Sequence, residues 1–199
     1  MYVGHFDFAQ PLLQRVPALY TRDECAALIA GLADAEWLPA TVNAASGRVV
    51  NDRLRNNDLA VLREEAIGAD LWRRIQPHVP ATMTAEWPEA PGQQLQRRTV
   101  RAIGLFSPVR VYRYHVGHHF GLHNDQSYSR GDGARSLLTL LVYLDDDLEG
   151  GETDFPEQGQ RIAPRAGEAL WFQHMVLHAG LPVTRGIKHV LRSDVMYAP

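Results

Sequence analysis

An internal disulfide is excluded from this chain, because its 199 residues include one cysteine, Cys25. A reducing compartment suits such a chain, and a cytoplasmic location is the expectation. Cys25 falls inside a helical pattern and reads as a small buried apolar side chain rather than a reactive thiol. A charge field of one sign is also missing. Twenty Lys and Arg stand against 23 Asp and Glu, a net charge of −3, so nothing argues for a nucleic-acid partner or an anionic membrane surface. No apolar run approaches the roughly 20 residues that cross a bilayer. Residues 1–20 lack the basic start and apolar centre of a signal peptide. Repeats and low-complexity segments are absent.

What is present suits a soluble globular protein: 45% hydrophobic and 22% charged residues. The length fits one domain over residues 1–199. Within it, 1–100 reads as a helical and loop-rich part and 101–199 as a strand-rich core.

Thr21-Arg22-Asp23-Glu24 is a capping box opening a helix to about Ala33, with Cys25, Leu28, Ile29 and Leu32 on one stripe. Trp37–Asn43 reads as a strand, Ser46-Gly47 as a turn and Arg48–Arg55 as the return. Asn57 or Asp58 is expected to cap a second helix from Leu59 to about Glu65. Gly68-Ala69-Asp70 leads to a third, which carries Leu71, Trp72 and Ile75 inward until Pro77 and Pro80 stop it. Met83–Arg98 contains Pro88, Pro91 and Gly92 with little periodicity. It reads as a long loop, either a lid or a surface excursion.

From Arg101 the pattern turns to short strands: Ala102–Phe106, Val109–His115, Leu137–Leu144, Gly151–Phe155, Gln160–Ile162, Ala169–Phe172, Leu177–Val183 and His189–Met196. Eight such strands with turns between them predict a jelly roll or cupin-like barrel. The fold class expected is an all-β core with α (α+β), its N-terminal helices packed on one face of a sheet.

Chemistry concentrates in Tyr114-His115-Val116-Gly117-His118-His119-Phe120-Gly121-Leu122-His123-Asn124-Asp125. On an extended strand residues i and i+2 point the same way, so His123 and Asp125 can reach one ion. His178 is the candidate third ligand. Two His and one carboxylate on one face form the facial triad of non-haem Fe(II) oxygenases. His115, His118 and His119 have no acid two residues on, and His174 lacks the spacing to Lys188 that His178 has. Those four read as supporting, loop or surface residues, and His5, His78 and His189 have no motif around them. The acidic run Asp145–Glu152 lacks the alternating ligands of a calcium loop and reads as a turn about Gly150-Gly151.

With the Thr139–Leu144 strand, the Glu149-Gly150-Gly151-Glu152-Thr153 turn, and His178 followed ten residues later by Lys188, the chain resembles the Fe(II)/2-oxoglutarate-dependent dioxygenases, in their prolyl 4-hydroxylase-like branch. The resemblance runs from about Arg110 to Tyr197. It implies a double-stranded β-helix, with Fe(II), 2-oxoglutarate and O₂ as cofactor and cosubstrates. It also implies hydroxylation of a C–H bond with release of succinate and CO₂. His123, Asp125 and His178 then hold the metal, and the carboxylate ligand Asp125 points to hydroxylation rather than halogenation. Lys188 anchors the 5-carboxylate of 2-oxoglutarate, Tyr114 donates to the cosubstrate, and Thr139 lies near that 5-carboxylate.

Strand alternation puts Arg110 and Tyr112 on the face of Tyr114, and Arg192 and Asp194 on the face of Lys188. These four are expected to line the pocket or meet the substrate, with Arg192 pairing with Asp194 or Glu152. Better-known relatives carry a smaller residue at the position of Arg192. The polar cluster Arg53, Arg55, Asn56 and Asn57 reads either as part of a substrate cover or as a solvated hairpin. Three functions stay open: hydroxylation of a peptidyl prolyl or other protein side chain, the same chemistry on a free amino acid or small metabolite, and a non-catalytic metal- or ligand-binding sensor on the same barrel.

Overall fold

A computed structural model describes residues 6–44, 47–88 and 94–199. In chain order the strands of the first half are β1 (Leu13–Val16), β2 (Leu38–Pro39), β3 (Val42–Ala44), β4 (Gly47–Val49), β5 (Asp58–Leu62), β6 (Thr82–Pro88) and β7 (Leu95–Leu105). The second half carries β8 (Val109–Tyr114), β9 (Phe120–His123), β10 (Arg135–Tyr143), β11 (Glu149–Gly150), β12 (Thr153–Phe155), β13 (Gln160–Ile162), β14 (Ala169–Gln173), β15 (His178–Gly180), β16 (Val183–Arg185) and β17 (Lys188–Ala198). Two α-helices, α1 (Arg22–Ala30) and α2 (Glu65–Ile75), precede the barrel strands.

The main sheet runs β1-β14-β10-β17-β8-β5-β2, with β7 also paired to β17 and β6 to β7. A second sheet runs β13-β12-β15-β9, and short pairs join β11 to β16 and β3 to β4. This is the double-stranded β-helix with helices on one face. Among the described residues no helix is long and apolar enough to cross a membrane.

Period-two alternation divides the main sheet into a helix face and an interior face. On the helix face Val111, Leu138, Leu140, Val142, Trp171 and Leu191 pack with Cys25, Leu71 and Ile75 in one buried cluster. Each such aliphatic burial stabilises by about 1.5–3 kcal/mol. The interior residues Tyr143, Leu170, Phe172 and Val190 form a second cluster with Phe155. α1 begins as its capping box requires: Thr21 accepts from the Glu24 N–H at 3.2 Å, and Glu24 accepts from the Thr21 N–H at 2.8 Å.

Four expectations need correction. Leu59–Glu65 is not a helix: Asp58–Leu62 forms β5, paired to β8. Asp58 does not cap a helix; it accepts from Arg113 at 2.9 Å, so tertiary pairing overrides the local signal. Met83–Arg98 is not a loop either. β6 and β7 form a hairpin with Met83, Ala85 and Trp87 buried on one side, and its tip, residues 89–93, lies outside the described residues. Trp37–Asn43 divides into β2 and β3, and the return is the short β4 rather than all of Arg48–Arg55; Ser46 of the expected turn also lies outside the described residues. Leu177–Val183 splits into β15 and β16, and β1 and β9 had no counterpart in the sequence pattern.

Candidate active site

His178, the first residue of β15, sits directly opposite His123, the last of β9, in an antiparallel pair. Directly opposed residues hold their Cβ atoms about 5 Å apart, and the two imidazole centroids are 4.2 Å apart. Asp125 lies just past the end of β9, not on a neighbouring rung as expected. Its own N–H donates to the His174 carbonyl at 3.0 Å, which turns its carboxylate back over the pair. Asp125 Oδ1 is 3.7 Å from His123 Nε2, and Oδ2 is 3.7 Å from His178 Nε2. Among the described residues this is the one group of three metal-capable side chains, with ligand atoms all within 4.8 Å of one another.

The ring protonation suits a metal. His123 Nδ1 lies 2.7 Å from the Gly121 carbonyl and His178 Nδ1 lies 2.9 Å from that of Val176. A carbonyl only accepts, so each Nδ1 carries the proton and each Nε2 offers its lone pair. Burial pushes the His178 pKa down to about 4, keeping that imidazole neutral. Burial alone would raise Asp125, but the Arg192 guanidinium beside it holds its carboxyl well below the usual range. Two imidazoles with Nε2 turned inward and a carboxylate beside them match the facial triad of a divalent iron site.

The pocket around this group spans about 430 Å³ including its open mouth and is walled by β8, β10 and β17 together with β9 and β15. Lys188 lies at one part of the wall, 3% exposed. Its Nζ donates to the Gly151 carbonyl at 2.5 Å and lies 5.1 Å from the Tyr114 ring centroid and 5.5 Å from that of Tyr143. Burial lowers its pKa to about 8, against the pull of Asp145 and Glu152. The Gly-Gly turn makes room for it. Gly150 and Gly151 hold φ of +73° and +69°, and a Cβ on Gly151 would lie 3.2 Å from Lys188 Cδ. A Cβ on Gly150 would collide with the Pro182 carbonyl oxygen. Tyr114 pairs with Lys188 in register and lines the same cavity, and burial raises its hydroxyl to about 12.

Thr139 is not beside Lys188. Its hydroxyl donates to Asp125 Oδ2 at 2.5 Å and sits 2.9 Å from His174 Nδ1, so the expected place near the 5-carboxylate is corrected to the carboxylate ligand. Because the hydroxyl proton is committed to Asp125, His174 Nδ1–H donates to Thr139. His174 Nε2 then accepts from Ser136 Oγ at 2.8 Å. Arg192 Nη2 adds a contact to Asp125 Oδ2 at 2.9 Å and to Asp194 Oδ1 at 3.1 Å, and Arg110 meets Asp194 at 2.7 Å. Arg192 therefore pairs with Asp194, as expected, and with Asp125, not with Glu152. Tyr112 and Arg192 line the cavity; Arg110 and Asp194 stand behind them.

Sequence reasoning missed the depth of Arg55, which is 6% exposed. Backbone pairing explains it. Arg55 bridges Phe120, the Gly121 N–H donates to the Leu54 carbonyl at 2.6 Å, and the His119 N–H donates to Asn56 Oδ1 at 2.7 Å. The cluster laces onto the start of β9 instead of forming a solvated hairpin. His174, read as a supporting, loop or surface residue, takes the first of these roles behind Thr139, and Ser136, which carries no local signal, was missed.

A family model described as the 2OG-Fe(II) oxygenase superfamily matches residues 109–193. A putative prolyl 4-hydroxylase of Acanthamoeba polyphaga mimivirus is 30% identical over 100 residues, covering 41% of each chain. A PKHD-type hydroxylase of Pseudomonas fluorescens is 26% identical over 187 residues, 89% of this chain and 75% of that one. This chain spans about two fifths of the length of the prolyl 4-hydroxylase relatives it matches. Among solved structures, a Pseudomonas putida prolyl-4-hydroxylase superposes with a TM-score of 0.64 at 17% identity, covering 95% of this chain and 94% of that one.

Proposed function

We propose that this chain belongs to the 2OG-Fe(II) oxygenase superfamily and is an Fe(II)- and 2-oxoglutarate-dependent hydroxylase. The names of its relatives favour a peptidyl prolyl residue or another protein side chain as substrate. The observation that carries the reading is the convergence of His123, Asp125 and His178 in one cavity with a buried lysine whose hydrogen-bond acceptor is a backbone carbonyl.

When bound, Fe(II), 2-oxoglutarate and O₂ supply the oxidising chemistry: a C–H bond becomes C–OH while the cosubstrate leaves as succinate and CO₂. The chain's own residues bind, orient and exclude water. His123 Nε2, His178 Nε2 and an Asp125 oxygen would hold the metal, leaving its other positions open. Thr139 and Arg192 fix the Asp125 carboxylate from behind. Lys188, itself buried, would pair with the far carboxylate of the cosubstrate, a charge that is costly to bury alone. Tyr114 presents a protonated hydroxyl along the same wall.

A small-molecule substrate is the second reading, favoured by the buried charged wall of Arg192 and Tyr112 beside Asp125. Incubation with Fe(II), 2-oxoglutarate and O₂ tests the shared chemistry. Succinate should form in a metal-dependent way and fall to background in His178→Ala. Metal-replete protein that releases no succinate with any proline peptide or amino acid would contradict it.

A further inference from the structure

Three guanidinium groups lie around Tyr112, Arg192 among them lining the cavity, and two carboxylates meet two of the three. Asp194 takes Arg110 and Arg192, and Asp125 takes Arg192. Arg55 meets neither. Among the described residues no carboxylate pairs with it, although more than nine-tenths of it is buried. Its Nε donates to Asn57 Oδ1 at 2.7 Å, and its Cζ is 4.3 Å from the ring centroids of both Tyr112 and Phe120. Both rings line the cavity. Phe120 in turn stacks on the His123 ring at 3.5 Å, so Arg55 stands one ring away from the metal group.

The donors are incomplete as well as the charge. Arg55 Nη2 and Arg192 Nε are buried with no acceptor. The Tyr112 hydroxyl lies 3.4 Å from Arg192 Nη1. Burial would raise that hydroxyl, yet Arg192, Arg55 and Arg110 together bring it down to about 7, which reports a strongly cationic surround. A metal held by Asp125 adds two positive charges to the same place. An unpaired guanidinium away from water is costly, and a carboxylate is an anion that matches its planar fork. Lys188 is four residues from Arg192 on β17, about 13 Å along the strand, so the two cationic groups are separate.

We infer that Arg55 and Arg192, with the Tyr112 hydroxyl, form the seat of a substrate carboxylate, so that the molecule hydroxylated presents an acid group beside the metal. This rests on the function proposed above and names the chemical class its substrate must carry. The acid could be that of a free small molecule or of an acidic side chain on a peptide, and the same binding measurement separates the two.

The probe is propionate, added to protein loaded with Mn(II) and saturated with 2-oxoglutarate, a complex that does not turn over. Broadening of the propionate methyl proton signal should saturate with concentration, and the neutral isostere propionamide should give none. Radiolabelled 2-oxoglutarate should stay bound throughout. The propionate dissociation constant should rise at least tenfold in Arg55→Gln and in Arg192→Gln, and partly recover in Arg55→Lys. Equal broadening by propionate and propionamide, or displacement of 2-oxoglutarate by propionate, would overturn the inference; in the second case the arginines belong to the cosubstrate. No effect of propionate in the wild-type protein would also overturn it, leaving Tyr112 as phenolate to be the counter-ion. Acetyl-Ala-Glu-Ala-amide against its Gln counterpart separates the sources. Binding of the Glu peptide marks a polypeptide substrate, and binding of propionate alone marks a small acid. The visible charge-transfer band of the anaerobic Fe(II) and 2-oxoglutarate complex keeps the two readings apart. Its absence sinks the proposed function, whereas its presence without a propionate effect sinks only the carboxylate seat.

Discussion

Arg192 Nη2 lies 2.9 Å from Asp125 Oδ2, so the carboxylate expected to ligate a metal is held by a guanidinium from the neighbouring sheet. Before metal arrives, Arg192 is the cation that compensates Asp125. Afterwards the ion shares that role.

Removing Arg192 should therefore make stability metal-dependent. Arg192→Met leaves a buried carboxylate without its partner and should cost the metal-free protein about 3–5 kcal/mol. Mn(II) relieves the same charge, so thermal melts should show a larger metal-induced rise in Tm for the variant than for the wild type. An equal rise in both would mean that Asp125 does not depend on Arg192.

Thr139→Val removes the hydroxyl that orients Asp125 and strands the His174 Nδ1–H. Loss of an orienting partner behind a ligand typically weakens metal binding by about 10–100-fold, and the unsatisfied buried donor adds about 1–3 kcal/mol of destabilisation. Metal titration and denaturant melts read the two effects separately. Unchanged metal affinity would show that Thr139 does not position the ligand.

Lys188 should tie 2-oxoglutarate affinity to pH. Its ammonium is complete below its pKa of about 8 and lost above it, and only the charged form pairs with a carboxylate. Affinity should be flat below pH 8 and then fall by about tenfold per pH unit. Lys188→Arg should move the break beyond the accessible range. A wild-type profile flat to pH 9.5 would remove Lys188 from the cosubstrate site.

Gly151→Ala tests the turn that accommodates Lys188. A side chain at φ +69° costs about 1–2 kcal/mol, and its Cβ would press on Lys188 Cδ at 3.2 Å and on Val183 Cγ2 at 3.1 Å. The expected split is weaker 2-oxoglutarate binding with metal binding unchanged. Loss of metal binding instead would mean that the turn supports the triad.

The core strands were legible because their alternation is strict. On β17, Lys188, Val190 and Arg192 reach the cavity while Leu191, Val195 and Tyr197 pack toward the helices. The metal group was legible because motif spacing survives without knowledge of the strand register that pairs His178 with His123. β5 was not, since Asn57-Asp58 before Leu59 and Leu62 is a fair helix start until β8 offers a partner. The β6–β7 hairpin was hidden by prolines around its tip, although Met83, Ala85 and Trp87 alternate. Thr139 and Arg55 depend on contacts between distant segments. Thr139 reaches back to Asp125, and Arg55 is drawn under Tyr112 by its bridge to Phe120. No local pattern encodes either.

The most direct measurement is the visible spectrum of metal-free protein given Fe(II) and 2-oxoglutarate without oxygen. A weak metal-to-ligand charge-transfer band should appear, vanish in His178→Ala and require far more 2-oxoglutarate in Lys188→Ala. Iron bound with no such band would contradict the cosubstrate site, leaving Lys188 a structural cation and the barrel a metal-binding module.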